Sequence, residues 1–126
     1  PGVARLLAAA PAAPVLLHRD LRADSRGRVR LTLRCKPLGQ RCRAGRLTLS
    51  ARFTIRTGRG RHRARRIALV TLVHGSYRAG SGDFLVTLRL GRRARAHLGL
   101  HPEGLALRVA ISAAGAGLRV FRATLN

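Results

Sequence analysis

The sequence predicts an all-β fold, an antiparallel sandwich of about seven or eight short strands, and three observations predict it. Apolar residues alternate with polar ones in five segments, which puts each apolar set on one face of a strand. Gly- and Pro-bearing turn signals separate these segments at intervals of about ten residues. Aromatic residues are few (Phe53, Phe84, Phe121, Tyr77, no Trp), so the core must be built from Leu, Val, Ile and Ala packed between layers. With 126 residues and 46% apolar content, the chain can form one domain with a core and is not a disordered polyelectrolyte. A small barrel is the alternative architecture for the same pattern.

Residues Pro1 to Pro14 form an Ala/Pro-rich lead-in, and residues 15–126 form the domain. The stretch Val3 to Ala13 has the composition of the tail of a secretory signal or of a linker, and a chain that starts at Pro and contains no Met is expected to be a processed product or a fragment. Val15, Leu17, Leu21 and Ala23 predict an edge strand interrupted near His18 to Asp20, followed by the turn Asp24-Ser25-Arg26-Gly27. Val29, Leu31, Leu33 and Cys35 then alternate with Arg28, Arg30, Thr32 and Arg34. After Pro37 and Gly39, Leu47, Leu49, Ala51 and Phe53 alternate with Arg46, Thr48, Ser50 and Arg52. Cys35 and Cys42 flank the connection and are spaced for a disulfide staple, which implies an oxidising compartment.

The dense run from Arg56 to Arg66 has no apolar alternation of its own and reads as an exposed loop. The apolar run Ile67 to Val73 predicts a strand buried on both faces, with a short helix as the alternative. Gly80-Ser81-Gly82-Asp83 signals a tight hairpin, with Phe84, Val86, Leu88 and Leu90 on the returning strand. Ala94, His97 and Leu98 sit at helical spacing ahead of Gly99, so Arg92 to Leu98 is a short helical crossover between sheets. A turn at Pro102-Glu103-Gly104 leads into the alternation Leu105, Leu107, Val109, Ile111, Ala113. Ala114-Gly115-Ala116-Gly117 reverses the chain into a last strand over Leu118 to Leu125.

Twenty-six basic residues stand against four acidic ones, a net charge of +22 that attracts polyanions irrespective of their sequence. Lys36 is the single lysine; the preference for arginine matches the codon bias of a GC-rich coding sequence, but the scarcity of acids does not follow from that bias. Arginines at alternate strand positions belong on solvated sheet faces. Arg56, Arg59, Arg61, Arg63, Arg65 and Arg66 are the candidate contacts for phosphate, sulfate or carboxylate groups. The chain lacks helix-turn-helix or zinc-finger spacing and base-stacking aromatics, so sequence-specific recognition of nucleic acid is not expected.

No reaction is specified. Asp20, Asp24, Asp83 and Glu103 lie at or beside predicted turns, where Asp24 and Asp83 should bond local backbone, and no spacing pairs them for acid/base work. The serines lack a G-x-S-x-G context, and no C-x-x-C is present. His18, His62, His74, His97 and His101 do not supply the two ligands that a metal site with both cysteines would need. No catalytic residue, metal, cofactor or small-molecule substrate is expected, and no stretch is long and apolar enough to span a membrane.

Taken together, LRC at Leu33 to Cys35, CRAGRLTL from Cys42, GSYRAGSGDFLVTLRL from Gly75, GRRARAHL from Gly91 and GLALRVAISAAGAGLRV from Gly104 resemble the bacterial immunoglobulin-like modules of secreted and cell-surface proteins. The resemblance covers about residues 15–126; the basic middle is longer than that pattern, and the bridge-packing Trp of antibody domains is absent. It implies an Ig-like sandwich and a non-catalytic structural or adhesive role, as spacer, stalk or surface-contact domain, outside the cell or at its surface. The partner would be an anionic cell-envelope polymer or another protein module. A polyanion binder for nucleic acid or anionic glycan, using arginine-rich loops and strand faces, is the alternative function.

Overall fold

The alternation of Val29, Leu31 and Leu33 with Arg and Thr becomes strand β3 (Arg28–Arg34), whose three apolar side chains are fully buried. The computed structural model describes residues 13–35, 41–58 and 64–126. In chain order the described elements are β1 (Val15–Leu16), β2 (Asp20–Leu21), β3, β4 (Arg41–Cys42), β5 (Gly45–Thr57), β6 (Ala64–Tyr77), β7 (Gly80–Ser81), β8 (Asp83–Arg89), α1 (Arg92–Gly99), β9 (Leu105–Ala113) and β10 (Arg119–Leu125). The fold is all-β. Six of these strands have seven or more residues, and the other four are two-residue pieces that stitch the edges.

The strands form a three-stranded sheet ordered β1-β3-β8, a five-stranded sheet ordered β2-β10-β9-β5-β6, and the short pair β4-β7. One core joins the two larger sheets. Val29, Leu31, Leu33, Val86 and Leu88 face it from the first, and Leu47, Leu49, Val109, Ile111 and Leu125 from the second. Every odd-numbered residue from Leu105 to Ala113 is buried, as the alternation predicts. Ala13 and Pro14, at the end of the lead-in, are buried as well. Helix α1 connects β8 to β9, the crossover that its spacing predicts, with Ala94 buried and His97 and Leu98 half-buried. Its end is closed by Leu100 and His101, whose N–H groups donate to the carbonyls of His97 and Leu98 at 3.2 and 3.1 Å.

Three expectations are corrected by pairing between distant strands. The first edge strand is two pieces in different sheets: β1 joins β3 antiparallel, and β2 joins β10 in a parallel pair, Asp20 opposite Thr124 and Leu21 opposite Leu125. Gly80 to Asp83 is a corner rather than a hairpin. Gly82, at φ +63, turns the chain out of β7, which pairs β4, into β8, which pairs β3, so the same turn chemistry passes a strand between layers. The Ile67 to Val73 run is not buried on both faces: β6 is the sheet edge, and Ile67 remains 71% exposed. β9 covers β5 only over Gly45–Ala51, so beyond that point β5 and β6 run on as a two-stranded arm.

The disulfide Cys35–Cys42 is formed, with Cα atoms 5.6 Å apart and both residues fully buried. The connection at 36–40 lies outside the described residues. Cys35 donates its N–H to the Gly82 carbonyl at 3.0 Å, and Cys42 pairs with Gly80, so the bridge and the β7 corner hold one another.

The carboxylates divide into two kinds. Asp24 is the turn residue expected: it accepts from the backbone N–H of Arg26 and Arg28 at 2.9 and 2.8 Å, and from Arg28 Nε at 2.8 Å. Asp83 instead takes a bidentate bond from Arg34 across the sheet, at 2.6 and 3.0 Å, because register places the two residues opposite one another. The Arg28 backbone N–H lowers the Asp24 carboxyl pKa, and the Arg34 guanidinium lowers that of Asp83. A carboxyl lowered in the folded state stabilises above the ordinary carboxylate range, near pH 4, and loses that contribution as pH falls through its folded value. Melting temperature is therefore expected to drop as pH falls below about 4, and Asp83→Asn should flatten part of that drop. Both groups are exposed, so the effect is modest. Identical acid melting profiles for the variant and the wild type would contradict this assignment.

Candidate anion-binding face

Of the arginines singled out in the basic run, Arg56, Arg65 and Arg66 belong to strands rather than to a loop. Arg56 and Arg65 are register partners, and Arg66 lies opposite Ile55 and is exposed. Arg59, Arg61 and Arg63 lie outside the described residues. Local composition does not reveal this, because the arms of the hairpin are extended by pairing, which a run of basic residues neither requires nor forbids.

A different set of arginines is brought together by the outer face of the five-stranded sheet. On β5, Leu47, Leu49 and Ala51 point into the core, so Arg46, Thr48, Ser50 and Arg52 point away from it. The same parity sends Arg108 of β9 and Arg122 of β10 outward. Register sets Arg122 opposite Arg108, and Arg108 opposite Ser50. This face carries an open concavity. The concavity measures about 730 Å³; Arg19, Arg52, Arg108 and Arg122 frame it, and Ala106 and Val120 contribute to its apolar floor. A second concavity of about 520 Å³ continues along the face beside Arg46, Thr48, Thr71 and His74.

These arginines are unneutralised within the chain. All four acidic residues are among the described residues. Two form ion pairs, Asp24 with Arg28 and Asp83 with Arg34, and both pairs lie on the three-stranded side of the molecule. Asp20 lines the large concavity but pairs with none of the arginines around it, and Glu103 forms no ion pair with a described residue. The face offers forked guanidinium donors over small apolar and hydroxyl side chains, a surface that binds oxyanions by charge-assisted hydrogen bonds.

This set is not legible in the sequence, because the four arginines are scattered from position 19 to position 122. The available signal was parity: Arg52, Arg108 and Arg122 each sit at the polar phase of an alternating strand. Histidine spacing also carries a local contact. His97 and His101 are four apart and meet over Phe53, with ring centroids 4.5 and 6.1 Å from the Phe53 ring, and the His101 Nδ1 lies 2.9 Å from the His97 carbonyl oxygen. This cluster packs the helix end onto the β5–β6 arm. Among the described residues no three His, Cys, Asp or Glu side chains gather into a metal site, and no helix is long and apolar enough to cross a membrane. Comparison with protein-family models and with curated proteins finds no match to this chain.

Proposed function

We propose that this chain is a non-catalytic module of the cell exterior, an immunoglobulin-like sandwich that makes adhesive contact with an anionic envelope polymer through the outer face of its five-stranded sheet. The observation that carries the reading is the set of arginines around one concavity with no carboxylate paired to them. An isolated fold gains nothing from holding such a set together, since like charges on one face repel. A polyanion laid along the face reverses the sign of that term and releases its own counterions. The buried disulfide suits an oxidising compartment, and among the described residues no Phe, Tyr or Trp lines the concavity as a platform on which bases could stack.

Heparin serves as the probe. Its apparent affinity is expected to fall linearly with salt on logarithmic axes. The triple variant Arg52→Ser, Arg108→Ser, Arg122→Ser should lose at least about tenfold in affinity and reduce the salt slope by about two to three. Removing the same charge elsewhere, with Arg30→Ser, Arg89→Ser and Arg92→Ser, should cost clearly less. Equal losses from the two triple variants would show that net charge acts without a face, and the assignment would fail.

A further inference from the structure

Register does something to these arginines that composition cannot show: it sets them directly opposite one another. Three such cross-strand pairs exist among the described strands, Arg28 with Arg89, Arg56 with Arg65, and Arg108 with Arg122. Directly opposed residues have Cβ atoms about 4.5–5.5 Å apart, and like charges at that spacing destabilise a sheet.

The two larger sheets treat their pairs differently. In the three-stranded sheet the repulsion is relieved from within, because the Asp24 carboxylate bonds the Arg28 guanidinium at 2.8 Å. In the five-stranded sheet neither Arg108 nor Arg122 pairs with a carboxylate, although Asp20 lines the same concavity. The row continues across the sheet, with Ser50 of β5 opposite Arg108 and Thr71 of β6 opposite Ser50. Four adjacent strands therefore place Arg122, Arg108, Ser50 and Thr71 in one line, Ser50 only 6% exposed but lining the concavity, each carrying hydrogen-bond donors and none an anion.

From this geometry we infer that the row is an oxyanion clamp, in which Arg108 and Arg122 grip one phosphate or sulfate group and the Ser50 hydroxyl adds a third donor. Strands about 4.8 Å apart place the two guanidinium forks on either side of a single tetrahedral group. Such a group has enough oxygens to accept from both forks at once, whereas one fork already occupies both oxygens of a carboxylate. The face therefore selects a polymer bearing sulfate or phosphate monoesters, each with three unesterified oxygens, over a polycarboxylate. This deepens the proposed anion-binding role and rests on it.

The test compares inorganic phosphate, sulfate and acetate at matched ionic strength, by melting temperature and by titration calorimetry on the whole chain. Phosphate or sulfate should bind saturably and raise the melting temperature above the acetate value; which of the two does so more strongly names the ester. Arg108→Gln or Arg122→Gln should weaken that binding at least about tenfold. Arg89→Gln should leave it unchanged, since its pair is served by Asp24. In acetate at low ionic strength, Arg122→Gln should melt no lower than the wild type, because the substitution removes a repulsion. Equal effects of acetate and phosphate, or a phosphate effect that survives both glutamine variants, would overturn the clamp. If heparin binding still depends on Arg52, Arg108 and Arg122 in that case, the anion-binding face stands without the clamp; if that dependence is absent too, both fall.

Discussion

Replacing Gly45 with alanine is expected to lower the stability of the fold by about 3–5 kcal/mol, at the high end of what a single methyl group can do. Gly45 opens β5 and lies between Ala113 of β9 and Tyr77 of β6. A Cβ there would stand 1.8 Å from the Ser112 carbonyl oxygen and 2.6 Å from the Tyr77 hydroxyl. That hydroxyl donates to the same Ser112 oxygen at 3.0 Å, and burial raises its pKa. A flexible side chain could rotate away from an added methyl, but the nearest atom is backbone, so the relief must come from parting β5 and β9. Trimming Tyr77 to alanine should therefore fail to rescue the variant. Gly117→Ala is the control: an added Cβ meets nothing within 4 Å, and the change should stay within about 0.5 kcal/mol. Urea unfolding measures all three. A loss below about 1 kcal/mol for Gly45→Ala would mean that the strands can part cheaply there.

Cys35→Ala with Cys42→Ala is expected to lower stability by about 2.5 kcal/mol, from the entropy returned to the unfolded chain when a ring of eight residues opens. The cysteines are seven positions apart, so the ring is small and the gain modest beside that of a long-range bridge. Two native features add to it. Both residues are fully buried, and Cys35 anchors the Gly82 corner through its N–H. Local opening should therefore be concentrated at β4 and β7, the two-residue strands that pair beside the bridge. Hydrogen exchange on the alanine variant should show protection falling first at Gly80 to Gly82, while β9 remains protected until global unfolding. Unchanged stability by urea titration would show that the reduced chain already holds this corner by packing alone.

The two substitutions probe opposite ends of what can be read from the chain. The cysteine staple is visible in a linear sequence, since a short spacing flanked by strands is a local pattern. The Gly45 constraint is not, because the atoms it would strike belong to residues 32 and 67 positions away, Tyr77 and Ser112.

The sequence by itself determined which residues face inward. Leu31, Leu33, Leu47, Leu49, Val109 and Ile111 are buried where a period of two places them, because alternation is a property of each strand alone. It also determined the helical crossover at α1, the closing β9–β10 hairpin and the surplus of positive charge. Only the tertiary structure decided which strands become neighbours. That choice split the first strand between two sheets, made a corner of Gly80 to Asp83 and left β6 at an edge. It also brought Arg19, Arg52, Arg108 and Arg122, far apart in the chain, around one concavity. The physical reason is that side-chain direction follows from local backbone geometry, whereas register is settled by the shared core and the hydrogen-bond ladder between segments far apart in the chain.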